Sequence, residues 1–328
     1  MANARVLSGI RSSGALHLGN YLGALRNWQE LQHQYECYYF IADWHALTTD
    51  YADTETLKAS MFDNMAGFLA VGLDPEKCTL FIQSRVPEHA ELHLLLSMIT
   101  PVPWLERVPS YKEQQQQIKD KDLTTYGFLG YPVLQTADIT MYKANYVPVG
   151  IDQVPHIELS RDIVRRYNHL YKAVFPEPQP LLTETPKVPG LDGRKMSKSY
   201  NNALYLTDTP EHIDGKIKVM MTDPARQRRS DPGNPEVCPV FDFHKIFSPP
   251  ETIALVDREC RTAGIGCIDC KKMMSTHLLQ DMRPILDKRR ELEERPQDVL
   301  AVFEDGSKKA QQTAQTTMAE VRQAMKLV

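Results

Sequence analysis

The chain has 328 residues, a formal net charge of −4, and apolar and charged shares of 42% and 24% that are ordinary for globular proteins. This length is enough for about two domains, and the apolar share excludes a disordered chain. No apolar run approaches the roughly 20 residues of a membrane span, and the N-terminus lacks a secretory signal, so a cytoplasmic protein is expected.

The first half of the chain alternates strand-like and helix-like segments. Short apolar and β-branched runs predict strands over residues 5–10, 38–42, 78–83 and 146–149. Apolar residues at helical spacing predict helices over residues 18–31, 55–73, 131–144 and 156–171. This alternation predicts an α/β fold with a Rossmann-like, doubly wound parallel sheet.

Beyond residue 205 the strand signal fades and helix signals dominate. Thr209-Pro210 and Ser248-Pro249 each predict an N-cap followed by proline in the first helical turn. Amphipathic stretches predict helices over residues 270–294, with a kink at Pro284, and over residues 296–303 and 307–327. The sequence therefore predicts an α/β domain over residues 1–195, an all-helical domain over 200–300, and a last helix of about 307–328 that packs back on the first domain.

A glycine-rich stretch, SGIRSSGALHLGN, follows the first predicted strand over residues 8–20. Its glycines allow a ligand to approach the backbone, and the start of the next helix near Leu18 favours an anion. His17 and Asn20 are three residues apart, so both are expected to face that anion. The stretch matches neither a Walker loop nor GxGxxG. A glycine-rich turn with a capping asparagine is the alternative explanation.

A second positively charged stretch, GRKMSKS over residues 193–199, lies at the predicted domain boundary. Glycines precede Lys195 and Lys198, which indicates a mobile loop. Taken alone, a charged pentapeptide is most often a solvated surface loop.

Together, the two stretches resemble the HIGH and KMSKS signature motifs of the class I aminoacyl-tRNA synthetases. Leu18 and Asn20 replace the isoleucine and final histidine of the first motif, whereas the second is unchanged. Residues 9–25, 131–163 and 193–199 further resemble the bacterial tryptophanyl-tRNA synthetases, and the resemblance covers essentially the whole chain. It implies a catalytic domain over residues 1–195, an anticodon-binding domain over 200–300, and tryptophan activation by ATP followed by transfer to tRNA.

The resemblance also implies which residues bind ATP with its Mg²⁺. The lysines are expected to neutralise departing pyrophosphate, which is catalysis by positioning and charge stabilisation. The implied catalytic residues are His17, Asn20, Lys195, Ser197 and Lys198. The implied ATP-binding residues are Arg11, Ser12, Ser13, Gly19, Asn20, Gly150, Ile151, Asp152, Val188, Lys195, Met196, Ser197, Lys198 and Ser199. Two departures stand out: Ser12 replaces a common proline, and residues 111–114 lack a third phosphate-binding lysine in register, Lys112 being displaced.

Tyr131, Gln135 and Asp138 are spaced to share one face of a helix. A carboxylate only accepts hydrogen bonds, so Asp138 would select an aromatic amino acid with a polar ring hydrogen, which leaves tryptophan and tyrosine open. An exposed helix carboxylate is the alternative for Asp138, and an ordinary core or capping histidine for His45. The resemblance favours tryptophan, although many relatives have methionine at the position of Gln135. The implied substrate-binding residues are Asp138, Tyr131, Gln135, Gln153, Gly9, Leu7, His45 and Val149.

Four of the six cysteines, Cys238, Cys260, Cys267 and Cys270, lie within 33 residues. Their uneven spacing is commoner for an iron–sulfur cluster than for zinc, and free thiols remain an alternative. Some tryptophanyl-tRNA synthetases carry a [4Fe–4S] cluster on a similar pattern. The basic residues of the same region are candidate tRNA contacts or merely a solvated face, namely Arg226, Arg228, Arg229, Lys288, Arg289 and Arg290.

The expected partners are therefore L-tryptophan, tRNA(Trp) and a second copy of the chain in a homodimer, with neither a membrane nor DNA. A tyrosine-specific class I synthetase is one alternative function. A synthetase-like RNA-binding protein without catalysis is the other.

Overall fold

A computed structural model of the chain describes residues 4–108, 121–182 and 188–327. Ser199 is described by its backbone alone, and the segment 111–114 lies outside the described residues. The chain forms two compact units. The first comprises Met1–Gly14, Asn27–Glu184 and Arg295–Val328, and the second comprises Ala15–Arg26 and Thr185–Glu294.

The described part of the first unit contains a parallel sheet with the strand order β3-β2-β1-β4-β5. Its strands are β1 (Arg5–Arg11), β2 (Glu36–Ala42), β3 (Cys78–Ile82), β4 (Tyr146–Val149) and β5 (Gln179–Leu182). The predicted doubly wound sheet is confirmed, because the chain runs outward from β1 to β3 and then returns to β4 on the other side. The direction reverses between β1 and β4, where Val6 pairs with both Cys37 and Tyr146. Ligands of such sheets bind beyond the strand carboxyl ends at this switch point.

The fifth strand was not predicted. It is only four residues long and contains Pro180. Proline lacks a backbone donor and is therefore tolerated in a sheet at its edge, which is where β5 lies.

The helices of the first unit cover the sheet. They are α2 (Arg26–Leu31), of which Arg26 belongs to the second unit, α3 (Asp43–Asp50), α4 (Leu57–Ala70), α5 (Glu88–Ser97), α6 (Val102–Glu106), α7 (Tyr126–Met141), α8 (Val154–Leu170) and α13 (Pro296–Ala324). Neither α3 nor α5 was predicted. Glu88 and Glu91 in the first turn of α5 complement the positive end of the helix dipole. An apolar core joins the sheet to α5, α6, α7, α8 and α13, with Leu7, Phe81 and Ile163 buried in it.

The last helix, α13, is continuous, so the prediction of two helices separated near Gly306 was wrong. A side chain at Gly306 would place its Cβ 1.8 Å from the carbonyl oxygen of Leu80. Glycine is there because the helix packs directly against β3. Ser307 Oγ accepts a hydrogen bond from the Ile82 backbone N–H at 3.2 Å and donates to Phe303 O at 2.6 Å. The helix thereby covers the backbone of an edge strand, which would otherwise be open to pairing with another chain.

The second unit is helical in its described part. Its elements are α1 (Leu18–Asn20) followed by a π-helical turn (Tyr21–Leu25), then α9 (Pro210–Val219), α10 (Pro239–Phe247), α11 (Pro250–Arg261) and α12 (Cys267–Glu293). Thr209 is confirmed as an N-cap, because its hydroxyl accepts from His212 N–H at 3.2 Å. The cap predicted at Ser248 was wrong. Pro249 precedes α11, and Ser248 Oγ instead bonds His244 Nδ1 at 2.7 Å.

The division into two compact units does not follow the single domain boundary that was predicted near residue 195. The chain passes from one unit to the other at Glu184 and Thr185, and Ala15–Arg26 joins the second unit. The reason is a set of non-local bonds. Leu18 N–H donates to Leu204 O at 2.7 Å, and Leu206 N–H donates to Leu16 O at 2.9 Å. In the portion of the chain that the structure describes, no helix has the length and apolar character to cross a bilayer.

Candidate active site

A buried carboxylate, Asp138 on α7, is the centre of a polar cluster in the first unit. Its side chain accepts hydrogen bonds from His45 Nε2 at 2.8 Å, His89 Nδ1 at 2.7 Å and Gln83 Nε2 at 2.8 Å. Asp138 is only 1% exposed, so it is not the surface carboxylate that the sequence left open. Buried charges need such partners, because an unpaired one would be strongly unfavourable.

Asp138 remains ionised at neutral pH. Burial by itself raises its pKa, but the hydrogen bonds and electrostatic effect of His45 and His89 outweigh burial and lower the pKa to about 2. A depressed pKa in the folded state means that these contacts stabilise the protein above the usual pKa of about 3.8. That contribution is lost as the pH falls through about 2.

The side chains around this carboxylate include several that the sequence predicted. The Tyr131 hydroxyl lies 3.3 Å from His156 Nε2, and its ring meets His45 edge-on, with centroids 6.4 Å apart. Gly9 lies against Phe40, whose ring atoms would be 2.6 Å from a Cβ at this position. Leu7 is buried, whereas Gln135 and Val149 are half-buried. Gln153 Nε2 donates to its neighbour Asp152 rather than to Asp138.

Sequence reasoning missed His89 and Gln83. Gln83 lies in a 3₁₀ turn directly after β3, and His89 lies on α5, a helix that the apolar pattern did not reveal. Both side chains are completely buried. Their separation from Asp138, 55 and 49 residues along the chain, gives no local spacing signal.

The predicted ATP-binding residues of the first unit follow the two strands at the switch point. Arg11, Ser12 and Ser13 come at the end of β1, and Gly150, Ile151 and Asp152 come after β4. Arg11 donates to Thr49 Oγ1, and burial lowers the pKa of its guanidinium below the usual value. Ser12 and Ser13 line a pocket of about 430 Å³ together with Thr49, Asp50, Tyr51, Ala52, Asp53, Thr56, Leu57, Lys121 and Asp122.

In the second unit, His17 and Asn20 form a reciprocal capping box at the start of α1. His17 N–H donates to Asn20 Oδ1 at 3.0 Å, and Asn20 N–H donates to His17 Nδ1 at 3.3 Å. Asn20 Oδ1 and His17 Nδ1 are used inside the cap as acceptors. The cap uses neither His17 Nε2 nor the Asn20 amide N–H₂, so the expectation that both side chains face one anion stays a prediction.

The ring of His17 is neutral near pH 7. Burial, together with the charges of Lys198 and Lys195, lowers its pKa to about 4. Because Nδ1 accepts a hydrogen bond, the single ring proton is on Nε2, so the neutral ring presents a donor. The folded protein binds a second ring proton, the one that would make His17 positive, more weakly than the unfolded chain does. The free energy of unfolding therefore decreases as the pH falls from about 6.5 to about 4.

The second motif is held as a tight loop that lies beside the first. Met196 N–H donates to Val188 O at 3.4 Å, and Pro189 pairs with Lys195 in an antiparallel bridge. Gly193 turns the loop with φ +80°, a conformation that L side chains rarely adopt. Met196 is buried 3.8 Å from the Cβ position of Gly19, whereas Lys195 is exposed. The structure thus brings together the two motifs that are separated by nearly the length of the first domain.

Asn202, which was not predicted as a site residue, holds this loop in place through hydrogen bonds of its side chain. Its Oδ1 accepts from Ser197 N–H at 2.8 Å, and its Nδ2 donates to Asp192 Oδ1 at 2.6 Å and Lys195 O at 3.2 Å. It is 2% exposed, and a Cβ at Gly190 would lie 2.1 Å from its Nδ2. The amide therefore sets the position of the backbone that carries both lysines.

Replacing Asn202 with alanine is expected to lower the turnover of any reaction that uses the two lysines by about 100-fold, because small misplacements of catalytic groups cost this much. Binding in the first unit should be unchanged, since the side chain of Asn202 bonds to Asp192, Lys195 and Ser197 of the second unit. Steady-state kinetics on Asn202→Ala would test this, with Asn201→Gly as the control. Asn201 is exposed and has φ +48°, which glycine adopts easily. Equal turnover in the two variants would contradict the role of Asn202.

The four clustered cysteines all lie in the second unit as free thiols. Burial, and then the negative charges of Cys238, Cys260 and Cys267, raise the pKa of the Cys270 thiol to about 12. The four sulfur atoms are therefore near enough to interact electrostatically. Among the described residues, however, no group of three or more histidine, cysteine or acidic side chains is already arranged to hold a metal ion. The donor set has the chemistry of a four-cysteine site without its ligand geometry.

Two of the basic residues proposed as tRNA contacts are buried. Arg226 Nη2 donates to Arg229 O at 2.9 Å and Ile265 O at 2.7 Å, and its Nη1 lies 3.8 Å from Cys260 Sγ. Arg289 is 2% exposed and donates to Glu293 at 2.8 Å. These two predictions were wrong, because both guanidinium groups serve the interior of the second unit. Arg228, Arg229, Lys288 and Arg290 are exposed.

Comparison with known proteins gives matches along the entire chain. A family model described as tRNA synthetases class I (W and Y) matches residues 1–280. A tryptophan–tRNA ligase from Thermotoga maritima is 54% identical, with 99% of each chain covered. Another from Aquifex aeolicus is 44% identical, covering 98% of this chain and all of that protein.

Solved structures give the same result. A crystal structure of tryptophanyl-tRNA synthetase from Campylobacter jejuni, complexed with ADP and tryptophan, superposes with a TM-score of 0.89. That protein is 33% identical, and the match covers 98% of this chain and 99% of that one. The similarity therefore extends over both compact units and is not confined to the sheet.

Proposed function

The chain belongs to the class I tRNA synthetases for tryptophan and tyrosine, and from this premise we infer that it is a tryptophan–tRNA ligase. The reaction has two steps. A carboxylate oxygen of L-tryptophan bonds to the α-phosphorus of ATP while the bond to the β-phosphate breaks, giving tryptophanyl-adenylate and pyrophosphate. A ribose hydroxyl at the 3′ end of tRNA(Trp) then takes the aminoacyl group and AMP leaves. The observation that carries this function is the 54% identity to a tryptophan–tRNA ligase over 99% of both chains.

In the first unit, Asp138 is proposed to accept the indole N–H. Its ionised, buried carboxylate is an acceptor only, so a substrate without a ring donor would leave it incompletely paired. Tyr131, Gln135, His45, Leu7, Gly9 and Val149 are proposed to line the same site, and Gln153 to bind the amino end of the substrate. Arg11, Ser12, Ser13, Gly150, Ile151 and Asp152 are proposed to bind ATP at the switch point of the sheet.

In the second unit, Lys195 and Lys198 are proposed to stabilise the negative charge of departing pyrophosphate, assisted by Ser197 and Ser199. His17 Nε2–H adds a neutral donor whose proton is retained across the physiological pH range. Gly19, Asn20, Val188 and Met196 complete this group by shaping the backbone around it. Mg²⁺ is proposed to accompany ATP, bound chiefly to phosphate oxygens and water, as is usual for this ion.

The helical part of the second unit is proposed to bind the tRNA anticodon, and residues 1–195 to form the catalytic domain. Arg228, Arg229, Lys288 and Arg290 are exposed and suit phosphate contacts. We place the protein in the cytoplasm, where charged tRNA is used.

Amino-acid-dependent exchange between ATP and pyrophosphate tests the proposed function directly. Exchange with tryptophan is expected, and exchange with tyrosine should be weaker by several orders of magnitude. Exchange with tyrosine alone would leave the mechanism intact but replace the substrate. Retained tRNA binding without any exchange would favour an RNA-binding protein that has lost its activity.

We further propose that Cys238, Cys260, Cys267 and Cys270 bind a [4Fe–4S] cluster. Support comes from the four-thiol donor set and from the mutual electrostatic effect of the thiols. When bound, such a cluster would crosslink the loop after α9 to α11 and α12, a structural role. Zinc is the alternative occupant, and free thiols are the third outcome.

Metal analysis of protein purified without oxygen separates these outcomes. About four iron and four sulfide per chain, lost in Cys260→Ser and retained in Cys37→Ala, would support the cluster. Cys37 is the control because it is buried in β2, in the other unit. Stoichiometric zinc would replace the cluster with a zinc site, and protein free of both metals would overturn the proposal.

A homodimer is also proposed, formed through apolar side chains of the first unit. Leu94 lies on α5 and Met98 directly follows its last residue, and Val102 and Tyr126 begin α6 and α7. All four are exposed, Met98 to 70%. Exposed apolar groups of this kind mark interaction surfaces. Analytical ultracentrifugation should show a dimer for the wild type and a monomer for Met98→Asp, whereas an unchanged dimer in the variant would place the interface elsewhere.

A further inference from the structure

Two residues that no sequence pattern indicated, His89 and Gln83, control how the Asp138 carboxylate is presented. Both are completely buried. Both nevertheless reach Asp138 through direct hydrogen bonds from neighbouring elements, α5 and the turn after β3.

The two oxygens of Asp138 are used unequally. Oδ1 accepts from His89 Nδ1 at 2.7 Å and from Gln83 Nε2 at 2.8 Å, whereas Oδ2 accepts from His45 Nε2 at 2.8 Å. A carboxylate oxygen offers two lone pairs. Oδ1 is therefore saturated by buried donors, and Oδ2 retains one place for a further donor.

Tyr142 lies behind His89 in this cluster, with its hydroxyl 2.7 Å from His89 Nε2. The ionised Asp138 carboxylate only accepts hydrogen bonds, so His89 donates to it from Nδ1, and Nε2 of the neutral ring then accepts from the phenol. Burial, followed by the charge of Asp138, raises the pKa of Tyr142 well above the usual value, so the phenol keeps the proton that it donates. Tyr142 is held in turn by stacking on Tyr38, with ring centroids 4.6 Å apart.

The orientation of the Gln83 amide leaves one of its buried polar atoms without a hydrogen-bond partner among the described residues. Its Nε2 donates to Asp138, which leaves its Oε1 as a buried acceptor without a hydrogen-bond partner among the described residues. Unsatisfied buried acceptors are unfavourable and tend to occur where function requires them.

We propose that His89 and Gln83, with Tyr142 behind His89, are positioning residues for recognition of the indole N–H. They occupy Oδ1 and orient the carboxylate so that Oδ2 alone is offered to the substrate ring. This inference rests on the proposed tryptophan–tRNA ligase function. It predicts that the selectivity for a ring N–H depends on residues that never touch the ring.

The test compares tryptophan with 3-benzothienylalanine, in which sulfur replaces the ring N–H at nearly constant shape. Wild type should favour tryptophan in kcat/KM for ATP–pyrophosphate exchange, and this preference should fall about tenfold or more in His89→Leu. His89→Asn is the matched variant, because its amide can replace the Nδ1 donor and its side chain has the same branching as that of leucine. It should retain most of the preference. Gln83→Met, which removes the second donor at constant length, should reduce the preference as His89→Leu does.

The outcomes distinguish positioning from general structural damage. A structural role would lower kcat/KM for both substrates equally in His89→Leu and leave their ratio unchanged, which would overturn the inference. If His89→Leu fails to fold, an unchanged ratio in Gln83→Met has the same consequence. Absence of tryptophan-dependent exchange in the wild type would instead overturn the proposed function itself, so the two failures are separate.

Discussion

Lys195→Ala is expected to lower the rate of tryptophanyl-adenylate formation by about 100- to 1,000-fold, with little change in KM for tryptophan. Removing one preorganised group that stabilises charge in the transition state typically has an effect of this size. Lys195 is exposed on the loop that Asn202 fixes, so its removal should not disturb packing. Single-turnover measurement of adenylate formation is the assay, because it separates chemistry from product release.

The control for Lys195 is Lys218→Ala. Lys218 is an exposed lysine of the same unit and is paired with Asp214 at 2.7 Å, a surface ion pair that contributes little to stability. A second measurement links Lys195 to the first motif. Because its charge helps to hold the His17 pKa down, that pKa should rise in Lys195→Ala. A rate within threefold of wild type would remove Lys195 from the catalytic group.

Asp138→Asn is expected to lower kcat/KM for tryptophan by about 100- to 10,000-fold. This range corresponds to the roughly 3–5 kcal/mol lost when one partner of a buried charged network is removed. Asparagine keeps the shape but loses the charge, and its amide N–H₂ would face donors instead of accepting from them. Asp162→Asn is the control, since Asp162 is an exposed carboxylate of α8 whose pairing with Arg165, at 3.3 Å, is at the surface.

The low pKa of Asp138 also predicts how KM for tryptophan depends on pH. With the Asp138 pKa held near 2, its ionisation should not influence KM for tryptophan between about pH 5 and about pH 8. A KM that rises as the pH falls through this interval in wild type, but not in Asp138→Asn, would show that the carboxylate gains a proton there. That result would contradict the low pKa and the acceptor role together.

Local sequence patterns were enough to predict the elements whose stability depends on residues close together in the chain. Alternating apolar segments gave four of the strands to within two residues, because buried parallel strands require such runs. Thr209-Pro210 marked a helix start for the same reason, since a cap and a proline act within one turn. The edge strand β5 and the helices α3, α5 and α6 were missed, because their segments carry no clear period and are stabilised by elements far away in the chain. The helix α5, for example, packs on α7 and α13.

The tertiary structure decided everything that depends on residues far apart in the chain. The sequence by itself made His17, Lys195, Lys198 and Asp138 candidates, through two motifs and the resemblance that they carry. It could not show that His17 and Asn20 bond each other, or that Arg226 is buried, since both depend on which groups the fold leaves exposed. Nor could it connect Gln83 and His89 to Asp138. Hydrogen bonds between side chains some 50 residues apart leave no periodic trace, and only the sheet and its covering helices bring those donors to one carboxylate.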